Sequence, residues 1–281
     1  KNMHKINIAV TAKRKLLLAF IAAGLFLTAA GQQPVPQPWA TTVDINSVTS
    51  YTAGKPTTVP AVLTGAALRD VKVTSQYADG LGRPVQTVVR QGSLETATNT
   101  GADMVSAVVY DAYGRESYKY LPFAANGNNT ADGTFKMNAF QQQAAFSATQ
   151  YPGETYYYSK AEFDGSPLNK VIKTMAPGNS WIGSSRAVSV KEYFNTDVDD
   201  VKIWHVTNST TGGFGSYAVA GNYIAGELYK TITQDEAGNQ TAEFKDKEGK
   251  VVLKKVQIGT GNDNGAGSGY SDWLSTYYIY D

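Results

Sequence analysis

The sequence has no cysteine and only two histidines among its 281 residues. A chain without cysteine has no disulfide framework and no thiol nucleophile. Its stability must therefore come from a sizeable apolar core, for which its 42% hydrophobic residues are sufficient.

Long apolar runs are also scarce, and the one clear run lies at the N-terminus. Leu16–Ala30 is 15 residues long, shorter than the roughly 20 that span a bilayer. It follows the basic residues Lys13, Arg14 and Lys15 and ends in small residues, a pattern typical of a secretory signal peptide. We therefore predict a signal peptide over 1–31 rather than a transmembrane anchor. The mature chain would begin at Gln32, without a membrane span, and would be extracellular or at the cell surface.

An excess of positive charge is absent from the predicted mature chain. The whole sequence has 25 basic and 24 acidic residues. Residues 1–31 contain five of the basic ones and none of the acidic ones, so 20 basic and 24 acidic residues remain, a net charge of −4. A nucleic-acid partner is thereby excluded, because such proteins need a basic surface.

What the chain does have is tyrosine, glycine and a repeated phrase. There are 18 Tyr and 27 Gly, which favours exposed β-structure over helix. The form D-x-x-G, followed by Arg, Asn or Lys, occurs four times, whereas random order predicts about 0.2 copies. Aspartate suits the first position of a tight turn, and glycine tolerates the positive φ of a bulged hairpin. We predict structural turns at these residues: Asp79, Gly82, Arg83, Asp111, Gly114, Arg115, Asp235, Gly238, Asn239, Asp246, Gly249 and Lys250.

The predicted fold is mostly β, with antiparallel hairpins and one short helix. Residues 32–70 are Pro- and Thr-rich and are predicted to be a linker or extended arm, and residues 71–281 a β-rich domain. Apolar spacing predicts the helix near 134–148. Further hairpins are expected at 186–206 and 226–258, separated by a flexible segment over 207–222. Residues 258–271 are expected to form a solvated loop.

Residues suited to catalysis are few. His205 is the single histidine of the predicted mature chain, and no G-x-S-x-G or phosphate-loop motif is present. The acidic run Asp197–Asp200 is predicted to be a solvated turn, with a cation site as the alternative. The tyrosines at 156–158 and 277–278 are predicted to pack between hairpins, with a sugar-stacking platform as the alternative. We predict no enzyme activity, no catalytic residues, no cofactor and no metal.

Several motifs resemble the Rhs family, whose members are also called YD-repeat proteins. Tyr110-Asp111 with Gly114-Arg115 is similar to the core of that repeat, and Tyr280-Asp281 is similar to the start of another. The stretches DGLGRPVQTVVRQGS, VVYDAYGRESYKYLPF, FDGSPLNKV and APGNSW resemble an uncharacterised domain that precedes the repeats in exported Bacteroidetes-type Rhs proteins. The resemblance runs from about Ser75 to Asp281.

The resemblance implies antiparallel hairpins of Rhs/YD-repeat type and a non-enzymatic exported scaffold. Such a scaffold would be the N-terminal part of an Rhs assembly, of which a toxin-encapsulating shell is one form. Its partner would be further Rhs repeats of the same polypeptide, and we expect the gene to continue into them. The alternative is a secreted surface module that binds glycan or protein through exposed aromatics.

Overall fold

The computed structural model describes residues 32–93, 100–127, 129–209 and 211–280. The predicted signal peptide, 1–31, lies outside the described residues. The chain divides into two compact units, Lys1–Pro34 and Val35–Asp281. The elements described below belong to the second unit. The prediction of a mostly β fold is confirmed, since the described residues form 15 strands in antiparallel sheets and one helix of seven or more residues.

The first sheet has five strands in the order β1-β2-β3-β4-β6. Its strands are β1 (Asn46–Ala53), β2 (Val71–Ala78), β3 (Pro84–Val89), β4 (Met104–Ala107) and β6 (Phe123–Ala124). Alternation along β2 is as the sequence predicts, because Val71, Val73 and Ser75 are buried and the residues between them are not. Strand β1, exposed along its whole length, lies within the range predicted as a linker or extended arm and pairs with β2.

The second sheet has eight strands in the order β15-β14-β13-β12-β9-β8-β7-β5. They are β5 (Tyr118–Tyr120), β7 (Tyr158–Phe163), β8 (Val171–Met175), β9 (Val188–Phe194), β12 (Tyr229–Gln234), β13 (Gln240–Lys245), β14 (Val251–Gln257) and β15 (Trp273–Tyr277). A two-stranded sheet pairs β10 (Lys202–Thr207) with β11 (Ser216–Asn222).

One predicted hairpin and one segment predicted to be flexible need correction. The range 186–206 is not a hairpin, because β9 pairs with β8 and β12 while β10 pairs with β11. The range 207–222, predicted to be flexible, contains β11, which pairs in antiparallel fashion with β10. The chain therefore leaves the eight-stranded sheet after β9, makes a separate hairpin, and returns at β12.

The helix α1 runs from Ala139 to Gln150, so it begins later than the predicted 134. The delay has a local cause in Lys136, whose backbone is held by a side chain. Its N–H donates to Gln86 Oε1 at 2.7 Å, and Gln86 Nε2 donates to its carbonyl at 3.1 Å. At the other end the helix stops one residue before Tyr151, which precedes Pro152 and so disfavours helical backbone.

Two apolar clusters form the core. The first lies between α1 and both large sheets and is built around Val88, Val105, Phe123, Phe140 and Tyr158. The second lies on the face of the eight-stranded sheet near its β12–β15 end and is built around Leu228, Ile232, Phe244, Leu253 and Trp273. Each is large enough to explain how a chain without cysteine holds its sheets together.

Candidate functional site

The four repeated turns share one pattern of hydrogen bonds. In the first, Asp79 N–H donates to the carbonyl of Arg83 at 3.0 Å, and Gly82 N–H donates to the carbonyl of Asp79 at 2.9 Å. The carboxylate oxygen Oδ1 of Asp79 accepts the N–H groups of Leu81 and Arg83, both at 2.9 Å. The turns that begin at Asp111, Asp235 and Asp246 repeat these four bonds at 2.8–3.1 Å.

The glycine of the phrase supplies the conformation that closes the turn. Gly82 and Gly114 have φ of 77°, Gly238 has 93° and Gly249 has 84°. Residues with a Cβ rarely adopt this left-handed region. Gly80, in the same turn as Gly82, does not have positive φ, so the requirement applies to one position of the phrase.

The residue after the glycine returns a side-chain donor to the aspartate. Arg83 Nε and Asn239 Nδ2 donate to Oδ2 of their aspartates at 2.8 and 2.9 Å. Lys250 differs, because its ammonium pairs with Glu248 instead. Arg, Asn and Lys can all occur at this position because the backbone hydrogen bonds define the turn. The side chains of Arg83 and Asn239 add a hydrogen bond to the aspartate, and the side chain of Lys250 does not.

The Asp111 turn is the most heavily bonded of the four. Its Oδ2 accepts Arg115 Nε and Ser117 Oγ, both at 2.9 Å. Desolvation by burial opposes ionisation of Asp111, but these bonds and the backbone donors of Arg115 and Tyr113 outweigh it and lower the pKa to about 2. In the Asp235 turn, the Asn239 side chain likewise lowers the pKa of the aspartate.

The Asp111 turn does not close a simple hairpin, unlike the other three. Its two arms meet in a single bridge, Val108 with Lys119. The arm before the turn comes from β4 of the five-stranded sheet, and the arm after it enters β5 of the eight-stranded sheet. This turn therefore carries the chain from one sheet to the other.

A fifth turn has related chemistry but escapes the motif. Asp164 N–H donates to the carbonyl of Lys170 at 2.8 Å, and Lys170 N–H donates to Asp164 Oδ1 at 3.0 Å. The loop is two residues longer than D-x-x-G-x, and Asn169 takes the left-handed conformation with φ of 51°. The signal that could have found it is an Asp and a Lys flanking Ser-Pro and Asn, all of which favour turns.

Arg83 and Arg115 connect the turns of Asp79, Asp111 and Asp164. The guanidinium of Arg83 lies 4.5 Å from the ring centre of Tyr110, just before the second turn. Arg115 lies 4.6 Å from the ring centre of Phe163 and donates to Asn169 Oδ1 at 3.2 Å. In the two phrases that contain it, arginine thus has two roles: it bonds to the aspartate of its own turn, and it contacts a residue at the neighbouring turn.

The acidic run 197–200 is partly a solvated turn, as predicted, but Asp199 is not. This residue is fully buried and binds Lys230 Nζ through both carboxylate oxygens, at 3.1 and 3.0 Å. Asp263 also accepts from Lys230 Nζ, at 2.9 Å. The pairing places one buried ammonium between two buried carboxylates, and this attraction offsets the cost of burying Asp199 in the turn Asp197–Asp199.

Lys255, also fully buried, lies near the same group. Its ammonium donates to the carbonyls of Asp199 at 2.8 Å and Gly269 at 3.1 Å, and also to that of Ser268. Burial lowers the pKa of Lys255 to about 8, against the opposing effect of Asp199 and of Asp263. Three carbonyl acceptors match the three N–H bonds of an ammonium group.

The loop 258–271 is therefore not simply solvated, and that prediction is corrected. Asp263 and Ser268 are buried within it. A Cβ at Gly267 would lie in steric conflict with Thr196 and with Val198. The loop packs over Lys230 and Lys255, and its many glycines allow the close approach.

A third buried lysine, Lys136, lies in the first half of the chain. Its ammonium donates to Asp103 Oδ2 at 2.7 Å, Asp132 Oδ1 at 2.9 Å and the carbonyl of Asn129. Asp103 is itself fully buried and also accepts Gly133 N–H at 2.8 Å. The cluster fixes the loop between β6 and α1, as Lys230 and Lys255 fix the loop before β15.

The tyrosines at 156–158 divide between core and surface. Tyr158 is buried and packs edge-on to Tyr118, with ring centres 5.3 Å apart, as predicted. Tyr156 and Tyr157 are half-buried and line a cleft of about 310 Å³ together with Tyr151 and Trp181. Sequence reasoning missed Tyr151 and Trp181 as members of this group, because they lie in separate turn regions.

The remaining candidates for chemistry are spread apart. His205 is exposed on β10, opposite Ala218 of β11. Among the residues described, no group of three or more His, Asp or Glu side chains is placed to hold a metal ion. No helix within the described ranges has the length and apolarity to cross a membrane.

Comparison with known families gives one match. Residues 49–194 match a family model described as a domain of unknown function, DUF6443. The matched range includes the turns of Asp79, Asp111 and Asp164 and ends before those of Asp235 and Asp246. No curated protein and no solved structure matches the chain.

Proposed function

The chain belongs to the DUF6443 family, and we propose that it is a non-enzymatic, exported structural scaffold that forms the N-terminal part of an Rhs/YD-repeat assembly. In this proposal its task is to begin a continuous β-sheet that further repeats extend. A shell around a toxin is one assembly of this kind.

The observation that carries the proposal is the hydrogen-bond pattern that the D-x-x-G turns share. The turns of Asp235 and Asp246 join β12, β13 and β14 in immediate succession. This part of the chain follows the DUF6443 match and has the regular alternation of strands and short turns that is expected of repeats that stack edge to edge. The scaffold proposal interprets β12–β14 as the first repeat units and residues 49–194 as the domain that precedes them.

The end of the eight-stranded sheet supports a partner at β15. This strand is last in the sheet order of the described residues. Leu274 is 60% exposed, and Tyr278 and Tyr280 just beyond the strand are 43% and 51% exposed. An uncovered apolar edge is an aggregation hazard that proteins avoid. The next hairpin of the same polypeptide would cover it most simply, by adding a strand in the same direction of growth.

A non-enzymatic role is supported by where the buried charges are used. Lys230 and Lys136 each lie between two aspartates, and Lys255 is bound by carbonyls. Each of these ammonium groups is held by the loops it anchors, which is the arrangement of a structural tie. His205, the histidine weighed for catalysis, is exposed on a two-stranded sheet.

In this proposal the protein is exported, with the mature chain outside the cell or at its surface, and the sequence of residues 1–31 supports this part. Intact-mass measurement of the protein from its native host tests this part. A mature chain that begins near Gln32 is expected, and a cytoplasmic species that retains Leu16–Ala30 would contradict it.

The scaffold itself is tested by the gene and by the edge strand. We expect the reading frame to continue past Asp281 into further D-x-x-G phrases preceded by tyrosine. In the full polypeptide, the amides of Trp273–Tyr277 should exchange with deuterium more slowly than in the 281-residue chain, while those of β13 should not change. A stop codon after Asp281, together with a monodisperse monomer of this chain, would overturn the proposal.

A further inference from the structure

The cleft lined by Tyr151, Tyr156, Tyr157 and Trp181 has features that the scaffold role does not use. Its volume is about 310 Å³, and Glu154 and Ser180 also line it. The volume is at the small end of the roughly 300–1,000 Å³ typical of ligand sites, which are mostly apolar with a few placed polar groups. We propose that this cleft binds a neutral saccharide, with the aromatic rings against the apolar face of a sugar ring and the polar groups bonded to its hydroxyls.

The two walls of the cleft are held together before any ligand arrives. Glu154 Oε2 accepts the N–H of Asn179 at 2.5 Å, and Asn179 Oδ1 accepts the N–H and hydroxyl of Thr155 at 3.0 and 2.7 Å. Gly178 N–H donates to the carbonyl of Tyr156 at 2.9 Å. These bonds join residues 153–156 to residues 178–179, so a ligand would not need to order the walls.

Gly178 lines the cleft between the ring of Trp181 and the carboxylate of Glu154. A Cβ at Gly178 would lie 3.4 Å from Trp181 Cδ1 and 3.6 Å from Glu154 Oε2. An apolar ring and a hydrogen-bond acceptor therefore approach the same point. A sugar offers both a C–H face and a hydroxyl edge within one ring, and so matches this pairing.

The charges near the cleft favour a neutral ligand. The carboxylate of Glu154 disfavours a phosphate or an acidic sugar. An aromatic cleft with a carboxylate would also suit a quaternary ammonium, but the guanidinium of Arg186 already lies 4.7 Å from the ring centre of Trp181. A cation at the same indole would be repelled by it. A neutral polyhydroxyl ligand avoids both penalties.

The cleft is accessible to an extended glycan. Trp181 is 36% exposed and Tyr151 is 49% exposed, so the site opens to solvent at two of its aromatic residues. This suits a chain of sugars that passes over the surface with one ring seated in the cleft. The inference goes beyond the scaffold proposal and does not depend on it.

The test is titration of the full chain with cellohexaose, chitohexaose and a mannan oligosaccharide. The indole N–H signal of Trp181 in NMR reports binding to the wild type, and isothermal titration calorimetry measures the affinity of the wild type and of each variant. We expect one of the three to shift this signal in a saturable way. Trp181→Ala and Tyr151→Ala should each weaken binding at least about tenfold, which corresponds to about 1.4 kcal/mol. Phe214→Ala is the matched control, because Phe214 is an aromatic residue 97% exposed outside the cleft, and it should bind as the wild type does.

Three results would overturn the inference. The first is the absence of a saturable Trp181 shift with any of these oligosaccharides, together with no binding on a glycan array. The second is binding that Trp181→Ala and Tyr151→Ala, shown by circular dichroism to be folded, leave unchanged. The third is a Trp181 shift with choline chloride or a peptide but not with saccharides. None of these results bears on whether β15 is covered by further repeats.

Discussion

Replacing Asp111 with alanine should lower the free energy of unfolding by about 2 kcal/mol, from the loss of four hydrogen bonds at the low end of about 0.5–1.5 kcal/mol each. The four donors are the N–H groups of Tyr113 and Arg115, Arg115 Nε and Ser117 Oγ. The low end applies because the side chain of Asp111 is 24% exposed, so water can reach donors that lose their partner.

The matched variant is Asp246→Ala. Asp246 accepts the same two backbone N–H groups, from Glu248 and Lys250, in a turn of the same shape. It lacks the return bond from the residue after the glycine, whose ammonium pairs with Glu248. We therefore expect a clearly smaller loss than for Asp111→Ala. The comparison isolates the side-chain bonds from the backbone bonds that the two turns share.

Urea unfolding followed by circular dichroism measures both variants. Because the Asp111 turn joins the two large sheets, hydrogen exchange of Tyr118–Tyr120 in β5 should also accelerate in Asp111→Ala and not in Asp246→Ala. Equal losses in the two variants, or a loss below about 0.5 kcal/mol at Asp111, typical of a plain surface substitution, would refute the reasoning.

Acid should remove the same contribution. The pKa of Asp111 is lowered to about 2, below its value of about 3.9 in an unfolded chain. A depressed carboxyl pKa stabilises the folded protein above the unfolded pKa, and this stabilisation is lost as pH falls through the folded pKa. The stability difference between the wild type and Asp111→Asn should therefore be constant above about pH 5 and shrink between about pH 4 and 2. A difference that does not change over this window would contradict the assigned bonds.

Three further predictions concern glycines and a buried lysine. Gly82→Val should cost on the order of 1–3 kcal/mol because of its positive φ, whereas Gly80→Val in the same turn should cost little; equal costs in thermal unfolding would count against the turn geometry. Gly267→Ala should destabilise by about 1–3 kcal/mol through steric conflict and through its φ of 113°, whereas Gly269→Ala, with open space at its Cβ, should not; unfolding midpoints that do not differ would contradict the described geometry of the loop. Between pH 7 and 9 the wild type should gain roughly 1 kcal/mol of stability relative to Lys255→Met, because a pKa near 8 disfavours the charged lysine in the folded state; a flat difference would show that this ammonium is not desolvated.

The turns could be predicted from the sequence because their chemistry is local. Asp, Gly and the residue after Gly lie within five positions, and the four hydrogen bonds that all the turns share connect only residues of the phrase. The Asp164 turn does not match the D-x-x-G phrase, because it has two extra residues and an asparagine in place of the glycine. Its hydrogen bonds are nevertheless similar to those of the four repeated turns. The destination of the strands after a turn is not local, so the path of Asp111 from one sheet to the other could not be predicted.

The buried lysines could not be predicted because their partners are far away in sequence. Lys230 binds Asp199 and Asp263, each more than thirty residues from it. The alternation of side chains along β12 was a usable signal, since Lys230 lies two residues before the buried Ile232 and therefore on the same face of the strand. A lysine on the apolar face of an alternating strand needs a buried acceptor. The sequence could thus have shown that a partner exists without showing which one.

The same lysines bear on how the sheet could grow. Lys255 lies on β14 and binds the loop that leads into β15, and β15 is the last strand of the sheet among the residues that the structure describes. A loop tied at Ser268 and Gly269 delivers β15 to β14 in a fixed register, Leu253 opposite Tyr277. A strand that acts as a template must present its outer hydrogen-bonding groups in one register, because a slip by one residue would exchange its two faces. Under the scaffold proposal, the buried Lys255 therefore has a role at the edge of the sheet. Its burial costs desolvation free energy, but its bonds fix β15, the strand with which the next hairpin would pair. Lys255→Met should then leave β12 and β13 protected while the amides of β15 exchange faster, and uniform exchange across the sheet would contradict this link.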